Sequence, residues 1–201
     1  MAVNPTRTIA SLTRAEKNIR FGLARGLTQT AKAASAQVNR TMGQRFDRPL
    51  PFTQRASGFT PASRDTLTAW VFIKDIQARY LAIEETGGTR RPMRGSPINL
   101  PVAQRTNVYG NIPRGAIGRA KAKPDTFTAS SGGRLPPGLY RRVRTGRGRA
   151  RRAALKLLVA FQRLARYRPR LRFRPTVAGV VETTGRELVA KSIADAIRTA
   201  R

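Results

Sequence analysis

Apolar residues recur every three or four positions from Leu12 to Met42. Leu12, Ala15, Ile19, Leu23, Leu27, Ala31, Ala34, Val38 and Met42 form one stripe, and Arg14, Lys17, Arg25, Lys32 and Gln37 lie off it. That period predicts one long amphipathic helix. Thr13 and Glu16 have capping-box spacing at its start, and Asp47-Arg48-Pro49-Leu50-Pro51 ends it. The small residues Gly22, Ala24, Gly26, Ala33 and Ala34 allow close approach to a sheet or to another subunit, with core packing the simpler reading.

Beyond the helix the period changes. Leu67 to Ile73 is a β-branched and aromatic run that holds the single Trp and predicts a strand. Asp75 to Glu85 reads as a short helix or strand closed by the Gly87-Gly88 turn. Residues 89–137, rich in Pro, Gly, Asn and Arg, read as an extended loop or arm inserted in a single domain spanning residues 1–201. Gly138 to Val143 resumes a strand pattern, and Thr145 to Arg152 reads as a basic turn. Leu155 to Phe161 fits a buried strand or a helix, and strand is the choice because a hairpin with the arginine-rich run at 166–174 would follow. From Gly185 to Ala200, Leu188, Ala190, Ile193, Ala196 and Ile197 fall at helical spacing. The expected fold is α+β: a long N-terminal helix and a C-terminal helix packed on a mainly antiparallel sheet that contains residues 67–73, 155–161 and 167–173, with a long Pro/Gly-rich extended loop.

One segment alternates strictly. In Arg166-Tyr167-Arg168-Pro169-Arg170-Leu171-Arg172-Phe173-Arg174, a strand's period of two puts five arginines on one face and Tyr167, Pro169, Leu171 and Phe173 on the other. Same-face neighbours about 6.6 Å apart repel by roughly 0.6 kcal/mol in water and about 2.5 kcal/mol at an effective dielectric near 20. No Glu or Asp interrupts the row, so it needs solvent or a polyanion.

Charge extends that picture to the whole chain. Lys and Arg number 40 against 10 Asp and Glu, for a net +30 over 201 residues, and 33 of the 40 are Arg. High-GC codon usage also enriches Arg over Lys, but it does not remove acids. The excess is concentrated: residues 1–85 carry 13 basic and 6 acidic residues, 86–181 carry 23 and 1, and 182–201 carry 4 and 3. Such a field attracts nucleic acid or anionic lipid with little specificity. Arginine's planar fork suits phosphate oxygens.

Residues 141–152 hold seven arginines in twelve positions: Arg141, Arg142, Arg144, Arg147, Arg149, Arg151 and Arg152. Two glycines and the flanking strand patterns make this a tethered, phosphate-gripping loop. Together with Arg166, Arg168, Arg170, Arg172 and Arg174 it forms the expected polyanion site. The segment lacks zinc spacing, a recognition-helix pattern and an aromatic ladder, so binding to the backbone of double-stranded DNA without sequence preference is expected.

Catalysis and cofactors have little to stand on. The chain has no Cys and no His, which removes the thiolate nucleophile, the usual general base and the commonest metal ligand. Glu84-Glu85 is the one paired carboxylate, and ion pairing with nearby Arg79, Arg90 and Arg91 accounts for it more simply than acid–base chemistry. No phosphate-binding P-loop is present. The expectation is a non-enzymatic protein without cofactor or metal. No apolar run approaches a membrane span, and the start lacks a signal-peptide core. The Arg-bearing, acid-poor start is compatible with a transit peptide but does better as structural helix.

Five segments bear on family. A long Ala-rich helix ends in Val38-Asn39-Arg40. After it come Gln77-Ala78-Arg79-Tyr80-Leu81-Ala82-Ile83-Glu84-Glu85-Thr86-Gly87-Gly88, Tyr109-Gly110-Asn111-Ile112-Pro113-Arg114-Gly115, Gly138-Leu139-Tyr140-Arg141-Arg142 and Ala165-Arg166-Tyr167-Arg168-Pro169-Arg170. In these segments and in its order of elements, the chain resembles the phage minor tail protein Z and related tail-completion proteins, departing from them in the long insertion from Thr89 to Pro137. The resemblance implies a virion protein of the neck or tail, made in the host cytoplasm and sealing or extending the tube through which DNA passes. It also implies a homo-oligomeric ring in contact with portal, adaptor or tail-tube proteins. A ribosomal or nucleoid-type protein that binds RNA or DNA without sequence preference would share the charge and the missing Cys and His. A membrane-surface protein would need bulkier apolar anchors than this Ala-rich stripe offers.

Overall fold

The computed structural model describes residues 5–91, 96–145 and 152–199. It is α+β: a long N-terminal helix, a C-terminal helix and antiparallel sheets, as the pattern predicts. The chain divides into two compact units, Met1–Glu85 with Pro169–Arg201, and Thr86–Arg168 inserted between them.

In the first unit, helix α1 (Pro5–Arg45) already runs through Thr13 and Glu16. The expected capping box is therefore interior, and Glu16 instead pairs with Arg20 one turn on, at 3.0 Å. Helix α5 (Phe173–Val180), a π-helical turn (Val181–Gly185) and helix α6 (Arg186–Arg198) follow without a break. Glycines let α1 and α6 pack backbone to backbone. A Cβ on Gly22 would fall 2.7 Å from Ile193 Cα, and one on Gly26 would fall 2.6 Å from Val189 Cα. Gly22 and Gly26 thus serve a helix–helix contact within the chain. Towards its C-terminal end α1 buries Val38 and Met42 with Ala56, Leu81 and Leu171.

Strands β1 (Ser57–Thr60) and β2 (Trp70–Ile73) form an antiparallel pair that packs on α1. Asn39 holds it there. Its side-chain amide donates to the Ser57 carbonyl at 3.2 Å, and its side-chain oxygen accepts the Ser57 N–H at 2.9 Å. Between α1 and β1 lies the short helix α2 (Pro51–Gln54), and after β2 comes helix α3 (Asp75–Thr86).

The second unit is built on a four-stranded antiparallel sheet in the order β4-β7-β6-β5. Its strands are β4 (Ile98–Pro101), β5 (Thr126–Ala129), β6 (Gly138–Thr145) and β7 (Arg152–Gln162). Helix α4 (Ala116–Lys121) sends Ala120 into a core of Leu139, Leu158 and Val159. A separate antiparallel pair joins β3 (Gly88–Arg90) to β8 (Ala165–Tyr167).

The structure departs from the sequence pattern in three places. Residues 67–73, 155–161 and 167–173 do not share one sheet. Of the first only Trp70–Ile73 is strand, as β2, whose partner β1 lies close in sequence and so costs little closure entropy, while β7 takes its partners from the second unit. Residues 89–137 are not one loop, since they carry β4, α4 and β5, each short and held by the β6–β7 hairpin or the core beneath it.

The third correction concerns 166–174, which is not a continuous strand. Only Arg166 and Tyr167 lie in β8, whose partner β3 is three residues long, and Pro169 has no N–H to extend a ladder. Arg170 and Leu171 donate their backbone N–H groups to the Glu84 carbonyl, and α5 begins at Phe173. The Glu85 carboxylate accepts the Phe173 N–H at 2.7 Å and the Arg174 N–H at 3.3 Å, capping α5 from 88 positions away. Leu171 is buried, as the alternation implies, but in the helical core of the first unit.

Candidate nucleic-acid interface

Charge separates along the same division. Residues 86–168 hold 20 basic side chains and one acidic, whereas the rest of the chain holds 20 and 9. The one acid, Asp125, is already engaged: the Arg141 guanidinium donates to its carboxylate at 2.6 Å. That contact holds the Asp125 carboxyl below the usual carboxylate range. Among the described residues no other ion pair lies in this unit.

The β6–β7 hairpin positions part of the expected site. On β6, Arg142 and Arg144 project from one face and Arg141 from the other, all exposed. Arg141 lies directly opposite Lys156 of β7, a like-charge neighbour, and its bond to Asp125 relieves the repulsion. Arg142 is held by aromatics: its guanidinium sits 4.6 Å from the Phe127 ring centroid, and Phe127 stacks on Tyr140 at 5.7 Å. The Tyr140 hydroxyl donates to the Pro136 carbonyl at 2.9 Å. The stack fixes where the charge stands and leaves the edge of the fork exposed for phosphate oxygens.

Arg152 pairs with Thr145 in the backbone register of the hairpin. Arg147, Arg149 and Arg151 lie outside the described residues. Arg166 is exposed on β8 opposite Thr89, and Arg168 is exposed just beyond that strand.

The other three arginines of the expected row belong to the first unit. Arg170 bonds Glu84 at 3.2 Å and lies 5.9 Å from the Phe46 ring centroid, so it is a structural partner of a nearly buried carboxylate. Arg172 takes a left-handed backbone, φ 51°, where α5 starts. Arg174 is exposed in the first turn of α5. The Glu84-Glu85 pair is thus occupied by Arg170 and by the α5 N-terminus, not by Arg79, Arg90 or Arg91.

Among the described residues no cluster of acidic groups could hold a metal ion, and no helix is long and apolar enough to cross a membrane. Compared with protein-family models, curated proteins and solved structures, the chain finds no match.

Proposed function

We propose that this chain is a non-enzymatic structural protein of a phage virion, placed at the head–tail junction or tail. There it forms a homo-oligomeric ring around the DNA channel and presents its basic inserted unit to the duplex or to acidic connector proteins. The observation that carries the reading is the 20-to-one excess of basic over acidic residues in 86–168. A charge ratio of that size favours backbone contact over base reading, which is what a protein lining a DNA conduit requires. Exposed arginines on both faces of the β6–β7 hairpin support the same reading. The division of labour supports it too, because the other unit is mostly helical and carries nine of the ten acids.

Locating the chain in intact particles by electron microscopy tests this. Ring-shaped density at the neck or tail is the expected result. A chain absent from the particle that sediments with ribosomes or compacted host DNA would favour the ribosomal or nucleoid alternative.

A further inference from the structure

Beside the four-stranded sheet, α4 and the chain leading from β4 leave an open pocket of about 380 Å³. Ala120 and Leu158 contribute apolar floor. Four cations line it, and they come from separate segments: Arg105 after β4, Arg119 in α4, Lys123 just past α4, and Arg141 in β6. No stretch of sequence announces this set, which the fold assembles.

The surroundings set three of the positions. The Leu158 carbonyl accepts the N–H groups of Val102, Ala103 and Gln104 at 2.9, 3.1 and 3.0 Å, which pins the chain just before Arg105 to the sheet. Gly115, at φ 75°, leaves room beside its backbone for Arg119, whose Nη1 would lie only 2.9 Å from a Cβ there. Arg141 is fixed by Asp125 at 2.6 Å. That carboxylate offsets one of the four charges. Among the described residues Arg105, Arg119 and Lys123 have no acidic partner.

We propose that this pocket is a binding site for a phosphate group. Guanidinium forks and a lysine ammonium supply charge-assisted donors from several segments of the fold. A volume of about 380 Å³ admits a pyrophosphate, or a single phosphate of a larger molecule, but not a duplex. The group has two sources, a free phosphate compound or one phosphate of a nucleic-acid backbone. The site requires neither a ring nor a virion, so it goes beyond the function proposed above.

The test is titration calorimetry of the full chain with inorganic pyrophosphate, at low and at physiological ionic strength. Wild type is expected to show one saturable site. R119Q/K123Q should weaken it about tenfold or more, and R134Q/R163Q, with the same charge change at exposed positions elsewhere in the unit, by less than about twofold. R105Q provides a second variant that leaves α4 intact and should also weaken binding. Adding a short DNA duplex as competitor separates the sources: displacement identifies a backbone phosphate, and unchanged binding identifies a free phosphate compound. No saturable binding, or equal losses in the pocket and control variants, would overturn the site. Failure of the chain to bind duplex DNA would leave it standing.

Discussion

The Arg170 guanidinium donates a hydrogen bond to the Glu84 carboxylate at 3.2 Å, across 86 positions of sequence. Glu84 also accepts the backbone N–H groups of Arg170 and Leu171 at its own carbonyl. One residue thereby ties the chain where it leaves the first unit, at Glu85, to where it returns, at Pro169. Next to it the Glu85 carboxylate starts α5. The two carboxylates are a clasp at the base of the insertion.

Breaking the clasp should be costly in a way that removing a neighbouring charge is not. Arg170→Gln leaves the Glu84 carboxylate, only 12% exposed, without its ion pair. The expected loss lies between that of surface and buried pairs, about 1–3 kcal/mol. Arg168→Gln, at an exposed position of the second unit, should change stability by less than about 0.5 kcal/mol. Urea unfolding of the two variants measures the difference.

Two glycines of α1 should respond oppositely to alanine. At Gly26 the added methyl meets Val189 Cα at 2.6 Å, so α6 must move away, at an expected cost of about 1–3 kcal/mol. At Gly43 nothing lies within 4 Å, and Gly43→Ala should stabilise the helix by about 0.5–1 kcal/mol. Thermal melts of both variants check the sign.

Acid should loosen the β5–β6 edge. Hydrogen bonding from Arg141 lowers the Asp125 pKa in the folded chain, so the pair's contribution is fully present above the unfolded value. It is lost as pH falls through the folded value. A carboxyl-carbon NMR titration should therefore place the Asp125 midpoint below that of an unstructured Asp. Arg141→Gln should return the midpoint towards the ordinary range.

The long helix was legible because a 3.6-residue period is sustained from Leu12 to Met42, and the strands at 138–143 and 155–161 because their patterns flank a glycine-containing turn, but the hairpin expected between 155–161 and 166–174 gives way to pairing of β7 with β6. The alternating segment misled for a physical reason. Period two and β-favouring side chains describe local preference, but Pro169 and the remote caps at Glu84 and Glu85 decide the backbone there. Strands β1, β4 and β5 are four residues long, too short to carry a period, and exist through their partners. At the candidate interface, composition alone located the charge, and its sharp onset at Thr86 coincides with the start of the second unit. Arg105, Arg119 and Lys123 could not be grouped from sequence, because only the packing of α4 beside the sheet brings them to one pocket. Arg119 and Lys123, four apart, were the one available signal.

The proposed function requires that the inserted unit grip the DNA backbone without reading its sequence. Equilibrium titration of the full chain with two unrelated duplexes over a range of salt concentrations tests it most directly. Engaging six to eight of the arginines in the middle of the chain predicts that log K falls against log salt with a slope of roughly 5 to 7 on both duplexes, at about 0.9 per phosphate neutralised. A slope near 1, or a strong preference for one of the two sequences, would contradict it.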